Sequence, residues 1–209
     1  MKKIYLHPLP VRIWHWVNAV SFIVLIITGL QIRYREVLTL TKFKTAVDIH
    51  NFFGFLLIAD FFLWLAFYVF TGKIKLYIPP LNLKKFFMGC VRQARYYGYG
   101  LLMGENSPHH AAPDNKFNPL QQTAYFMIML ILLPFQLITG VLLWDIKMFA
   151  DWIGLLGGIK VVDFIHVVVF FFLTAFLFVH VYLTTLGITP LEHIKAMFTG
   201  YDEVEEGGN

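Results

Sequence analysis

Four stretches of this chain, roughly residues 14–32, 50–70, 123–144 and 162–186, are almost free of charged side chains. Each reaches or approaches the ~20 residues that an α-helix needs to cross a bilayer. A chain divided in this way takes lipid as its solvent. Composition agrees: apolar residues make up 58% and charges 14%, against roughly 45–50% and about 25% in soluble globular chains. The expected fold is an all-α integral membrane protein, one domain over residues 1–209 built as a bundle of four transmembrane helices, with a long loop over 71–122. Lys2 and Lys3 ahead of the first apolar run could suggest a cleaved leader, but the run is long and ends in Gln31, Ile32 and Arg33 where a cleavage site needs small residues. It is read as a retained anchor.

Four crossings put the N-terminus, the 71–122 loop and the C-terminus on one side. That side holds eleven basic residues (Lys2, Lys3, Arg12, Lys73, Lys75, Lys84, Lys85, Arg92, Arg95, Lys116 and Lys195) and the other six (Arg33, Arg35, Lys42, Lys44, Lys147 and Lys160). The excess of positive charge on the cytoplasmic side places both termini in the cytoplasm. Basic loops beside anionic headgroups account for the net charge of +4 without a nucleic-acid partner. In the long loop, Leu83 to Met88 with Arg92 and Arg95 mixes basic and apolar residues as a helix lying at the interface does. Thr189-Pro190-Leu191-Glu192 has capping-box spacing, which predicts a short helix from 190 whose Leu191, Ile194, Met197 and Phe198 share a face along the membrane, ahead of an acidic tail of Asp202, Glu203, Glu205 and Glu206.

A single cysteine, Cys90, rules out an intramolecular disulfide, a thiolate zinc finger and a cysteine-held iron–sulfur cluster, and no C-x-x-C-H is present for covalent haem attachment. Cys90 reads most simply as a small apolar residue. Any cofactor therefore depends on the histidines, and His15, His50, His166 and His180 sit in or at the ends of the first, second and fourth crossings. Such residues are costly in a membrane unless paired or coordinated. His166 and His180 are fourteen residues apart, about 3.9 turns, so they share a helix face but stand roughly 21 Å apart along it. No single metal ion reaches both. Chain direction supplies a partner for each: His15, early in the first helix, lies on the cytoplasmic side with His180, and His50, at the start of the second, lies on the outer side with His166. His15 is only the second residue of the first span while His180 lies six residues inside the fourth, so the first helix is expected to begin nearer Pro10. A planar cofactor ligated on both faces suits two such pairs, and haem b accepts two imidazoles from a bundle interior. Gly29, fourteen residues after His15, and Gly54, one turn after His50, leave helix backbone bare where a porphyrin face needs room; close helix packing is the alternative account of both.

These residues resemble a known family, the dihaem cytochrome b subunits of membrane-bound formate dehydrogenases, nickel–iron hydrogenases and thiosulfate reductases. The likeness is carried by Arg12-Ile13-Trp14-His15-Trp16, His50-Asn51-Phe52-Phe53-Gly54, Lys116 to Gln121, Thr139-Gly140 with Trp144, His166 through His180-Val181-Tyr182, and Thr189 to Met197. The resemblance implies the same pairing of histidines. It also implies a quinone site (menaquinone or ubiquinone) by the cytoplasmic haem, with Asn118 and Gln121 as binding residues. The family's tyrosine is Phe117 here, and a glycine of its formate dehydrogenase pattern is Leu120.

The function expected is electron transfer between a redox partner on the outer face, an iron–sulfur or multihaem cytochrome subunit, and the quinone pool of a bacterial or archaeal cytoplasmic membrane. Substrate chemistry would belong to that partner. Rival readings are a haem-free ion or proton carrier using the histidines and Asp60, and a purely structural anchor. Asp60, in mid-span, must be protonated, hydrogen-bonded or directed at water. Arg12, one turn before His15, and Arg33 and Arg35 either contact haem propionates or anchor helix ends at the interface. His7 and His193 are expected at the surface, and His109 and His110 in a solvated loop with Ser107, Pro108 and Pro113.

Overall fold

The computed structural model of the chain describes residues 2–109, 112, 115–186 and 189–204. His110 and Pro113 of the polar loop and Glu205 and Glu206 of the acidic tail lie outside the described residues. Among the described residues, four helical segments are long and apolar enough to span a membrane: α1 (Leu9–Arg33), α2 (Phe43–Phe70), the run Pro119–Trp144, and α7 (Ile159–Thr184). The run is made of α4 (Pro119–Met127), a π-helical stretch Ile128–Leu132 and α5 (Leu133–Trp144). Pro134 explains the break, since proline cannot donate to the carbonyl four residues back and wider turns absorb the mismatch. Shorter elements are β1 (Lys2–Tyr5), α3 (Leu83–Arg95), α6 (Ala150–Leu155), α8 (Glu192–Thr199) and β2 (Tyr201–Val204).

All four long helices begin before the apolar stretches do, because their first turns are polar or capped and hydropathy cannot see them. α1 starts at Leu9, with Pro10 in a first turn that needs no N–H from it. α2 starts at Phe43, and its exposed first turn carries Lys44 with Nζ 2.6 Å from Asp48, one turn on. The third starts at Pro119 behind a capping box: Asn118 Oδ1 accepts from the Gln121 N–H at 2.9 Å, and Gln121 Oε1 accepts from the Asn118 N–H at 3.1 Å. His50 and His166 therefore sit not at helix starts but each at the eighth residue of its helix.

Contacts gather the chain into two compact units. The first, residues 1–12, 67–131 and 184–209, contains both strands, α3, α4 and α8. β1 and β2 pair antiparallel with Tyr5 opposite Tyr201, and the Leu6 and His7 N–H groups both donate to Gly200 O. Gly200 ends α8 at φ 89°, and a Cβ there would lie 2.6 Å from the Tyr5 ring, so only glycine fits the turn. This hairpin-like clasp of the termini has no signal in the sequence pattern, since the acidic segment reads as solvated. α8 opens at Glu192, two residues later than the capping box suggests. The Glu192 carboxylate does reach back to the Thr189 N–H at 3.3 Å, but the intervening residues form a turn. Its buried residues are Glu192 and Ala196, while Leu191 and Phe198 face outward. α3 is likewise amphipathic, capped by Asn82, with Leu83, Phe87, Met88 and Val91 exposed and Gly89 and Gln93 buried. Cys90 Sγ lies 3.8 Å from Thr123 Oγ1.

His193, expected at the surface, lies 3.6 Å from Asp202, and the interaction with that carboxylate raises its pKa above 6.5 against the opposing effect of burial. A folded-state pKa above the unfolded one stabilises fully below pH 6.5 and ceases to do so as pH rises through the raised value. Amide exchange in β2, corrected for its intrinsic pH dependence, should therefore accelerate across that window in the wild-type chain and not in His193→Gln.

The second unit, residues 13–66 and 132–183, holds most of α1 and α2 with α5, α6 and nearly all of α7. Its interior is small. Trp64, Leu133, Val162 and Ser21 are fully buried, whereas Phe52, Phe62, Phe164 and Phe172 point outward. Such exposure costs nothing where the solvent is hydrocarbon, and helices there associate by packing and polar contacts instead.

Candidate functional site

The helices of the second unit carry His15 on α1, His50 on α2, and His166 and His180 on α7. His15 is the seventh residue of α1 and His180 lies four residues before the end of α7, and α1 begins at Leu9, next to the Pro10 start expected of it. Their ring centroids are 6.2 Å apart, and His180 stacks on Phe176 at 5.7 Å. A metal held between two imidazoles with bonds of about 2 Å separates the ring centres by roughly 6 Å, a spacing that these two rings match.

His50 and His166 line a cavity of about 430 Å³, within the ~300–1,000 Å³ range of ligand pockets. Its walls include Gly29, Gly54 and Gly140. A Cβ on Gly29 would lie 3.3 Å from His50 Cε1, and one on Gly140 the same distance from His166 Cε1. A Cβ on Gly54 would meet nothing within 4 Å, so that glycine opens the wall. Thr28 Oγ1 is 2.9 Å from His50 Nδ1, and Thr139 Oγ1 is 2.9 Å from His166 Nδ1. Gln136 Nε2 lies 3.2 Å from His166 Nε2, and its Oε1 is buried without a partner among the described residues. Arg33 and Asp163, also on the cavity wall, are joined at 3.0 Å. Trp144 packs edge-on against Phe55 at 5.0 Å.

Sequence reasoning singled out the four histidines, Gly29 and Gly54. It did not find Thr28 or Gln136, nor a role for Thr139 and Gly140 beyond their part in the resemblance. The Thr-Gly dipeptide was the available signal, but it also occurs at Thr71-Gly72 and Thr199-Gly200, where the glycines end helices at positive φ.

Asp60 is buried, with the Asn18 amide as its polar neighbour and one carboxylate oxygen unpaired among the described residues. Arg12, in the first unit, donates to Phe198 O at the end of α8. Also in that unit, Asn118 is buried and donates to the Tyr97 hydroxyl at 3.0 Å, so both ends of its side chain are engaged. Lys116 Nζ lies 3.0 Å from His7 Nδ1, which takes His7 away from the bare surface expected for it. Burial lowers the Lys116 pKa to about 8, with Lys73 adding to the effect and Asp202 opposing it. Burial likewise raises the Tyr97 pKa.

A membrane helix bundle with paired inward imidazoles, bare backbone beside the rings and a cavity between them is the architecture of a protein that holds haem without covalent attachment. The residues present fit that group. The chain belongs to the prokaryotic cytochrome b561 family, whose description matches residues 6–200. It is thus a b-type cytochrome and a multi-pass protein of the bacterial inner membrane. One relative, named cytochrome YdhU, from Escherichia coli (strain K12), is 35% identical over 202 residues, covering 96% of this chain and 75% of that one. A Cupriavidus necator relative named Ni/Fe-hydrogenase B-type cytochrome subunit is 27% identical, covering 87% of this chain and 79% of its own length. A relative of the same name from Azotobacter vinelandii is 28% identical over 86% and 79%. No solved structure matches the chain significantly.

Proposed function

We propose that the chain binds two b haems, one between His15 and His180 and one between His50 and His166, and carries electrons between an outer-face redox subunit and membrane quinone. The observation that carries this reading is the pairing of four intramembrane histidines at two levels, one pair with ring centres 6.2 Å apart and the other on one cavity wall. Bound haem supplies reversible one-electron transfer at a potential set by its axial ligands and its burial. The chain's own residues do the rest. The imidazoles hold the iron, Gly29, Gly54 and Gly140 keep side chains out of the porphyrin's way, and the apolar helices exclude water. Family membership displaces the haem-free ion carrier, and Asp60 then serves as a buried polar contact of Asn18.

The quinone would meet polar groups of the first unit, near Asn118 and Gln121 as the family resemblance implies. Lys116 gives this proposal its chemistry. With a pKa of about 8 and His7 as its hydrogen-bond partner, it releases a proton far more readily near neutral pH than an ordinary lysine does. Both termini lie in the cytoplasm in this reading, because of the excess of Lys and Arg on their side. The outward apolar faces of α3 and α8 then rest on the cytoplasmic leaflet. An iron–sulfur or multihaem cytochrome subunit would dock on the opposite side; the names of the hydrogenase relatives support a catalytic partner subunit.

The test is a dithionite-reduced minus oxidised visible spectrum of the purified chain, with haem quantified against protein. Two b haems per chain is the expected result. A folded chain that takes up no haem under ample supply overturns it.

A further inference from the structure

We infer that Thr28 and Thr139 are positioning residues: each hydroxyl accepts the Nδ1–H of its histidine, His50 or His166, and thereby leaves the Nε2 lone pair of that ring as its ligand atom. The inference rests on the proposed ligation of haem by these two histidines.

A threonine hydroxyl has a single proton to donate. Thr28 Oγ1 lies 2.7 Å from Val24 O and Thr139 Oγ1 lies 2.7 Å from Phe135 O, so in both cases the proton goes to the carbonyl one turn back. What remains on each oxygen is lone pairs. The 2.9 Å contacts to His50 Nδ1 and His166 Nδ1 then require the hydrogen to be on the imidazole. A neutral imidazole with its proton on Nδ1 has none on Nε2. At His166 a second observation agrees independently: the Gln136 amide nitrogen, which can only donate, lies 3.2 Å from Nε2 and needs a lone pair there.

The arrangement occurs twice, on different helix pairs. Thr28-Gly29 on α1 faces His50 on α2, and Thr139-Gly140 on α5 faces His166 on α7. In each pair the glycine brings helix backbone against the ring, which lets the neighbouring hydroxyl reach Nδ1. Both threonines are buried, at 6% and 4% exposure, although a threonine bonded to its own helix is slightly unfavourable there and an apolar residue would pack as well. The hydroxyl therefore serves the ring. A hydrogen bond from the far nitrogen raises a ligand's basicity. More basic axial ligands favour the ferric state, and both threonines act on the same pair in the same direction.

The experiment uses the full haem-loaded chain with Thr28→Val, Thr139→Val, the double valine variant, and the matching serine substitutions. Readouts are a redox titration followed in the visible band and the low-spin ferric electron paramagnetic resonance signals. Each valine variant is expected to weaken the preference for ferric over ferrous iron on the order of tenfold, about 59 mV positive for a one-electron couple. The shift should fall on one haem component and be larger in the double variant. The serine variants should keep the wild-type potential and signals. If valine causes loss of that haem, retention in the serine variant supports the inference and loss there overturns it. It is also overturned if the valine variants keep both potentials, or if both components shift together. The ligation reading fails separately, by His50→Ala or His166→Ala keeping the full haem content.

Discussion

Replacing His166 with alanine should halve the haem content of the purified chain, and replacing His180 should remove the other half. The two losses should differ in consequence. His180→Ala is expected to abolish reduction of haem by a quinol analogue along with the haem it shares with His15, whereas His166→Ala should leave that reaction in place. The physical ground is that each imidazole pair occupies its own level, with His166 and His180 fourteen residues apart on one helix, so neither can substitute for the other. Haem quantified against protein, together with stopped-flow reduction by the quinol, reads both effects. Full haem content in His180→Ala would falsify the pairing.

The second large effect is steric. Gly140→Val and Gly29→Val are expected to lose the haem of the His50 and His166 pair while the chain still folds and keeps the other. A Cβ at either site stands 3.3 Å from an imidazole carbon, already tighter than an ordinary contact, and valine adds two methyl groups there. Overpacking of this kind costs about 1–3 kcal/mol, and a tenfold loss of affinity corresponds to about 1.4 kcal/mol. Haem affinity should thus fall by roughly 5- to 150-fold, read as haem lost through gel filtration. Gly154→Ala is the internal control, because Gly154 is off the cavity wall and a Cβ there meets nothing within 4 Å. A loss in Gly154→Ala equal to that in Gly140→Val would show that the close approach to the ring is not what matters.

The helix count was legible from charge-poor stretches alone, since backbone satisfaction in lipid leaves a long apolar segment only the helix as an open-ended solution. Helix starts were not, apart from the first, which was expected near Pro10 and falls at Leu9. Phe43 to Ile49 and Pro119 to Gln122 contain polar residues that helix caps and exposed turns accept but a hydropathy window rejects. The displacement bears on the site, because it moves His50 and His166 from helix ends to positions seven residues inside. The proposed pairing of the histidines has its basis in the sequence. Fourteen residues in a helix is a whole number of turns to within a fraction, and chain direction then offers one partner for each.

By itself the sequence determined the solvent and the number of crossings, because these depend on local composition. It could not distinguish among the four Thr-Gly dipeptides, which are identical in sequence. At Thr71-Gly72 and Thr199-Gly200 the glycine takes positive φ and ends a helix. At Thr28-Gly29 and Thr139-Gly140 the same residues stay helical and face an imidazole. The strand pairing of Lys2–Tyr5 with Tyr201–Val204 was hidden for the same reason. Whether a hydroxyl meets a carbonyl of its own helix or also a ring on another, and whether one end of the chain pairs with the other, depends on contacts between residues far apart in the chain. Only the tertiary structure decides those.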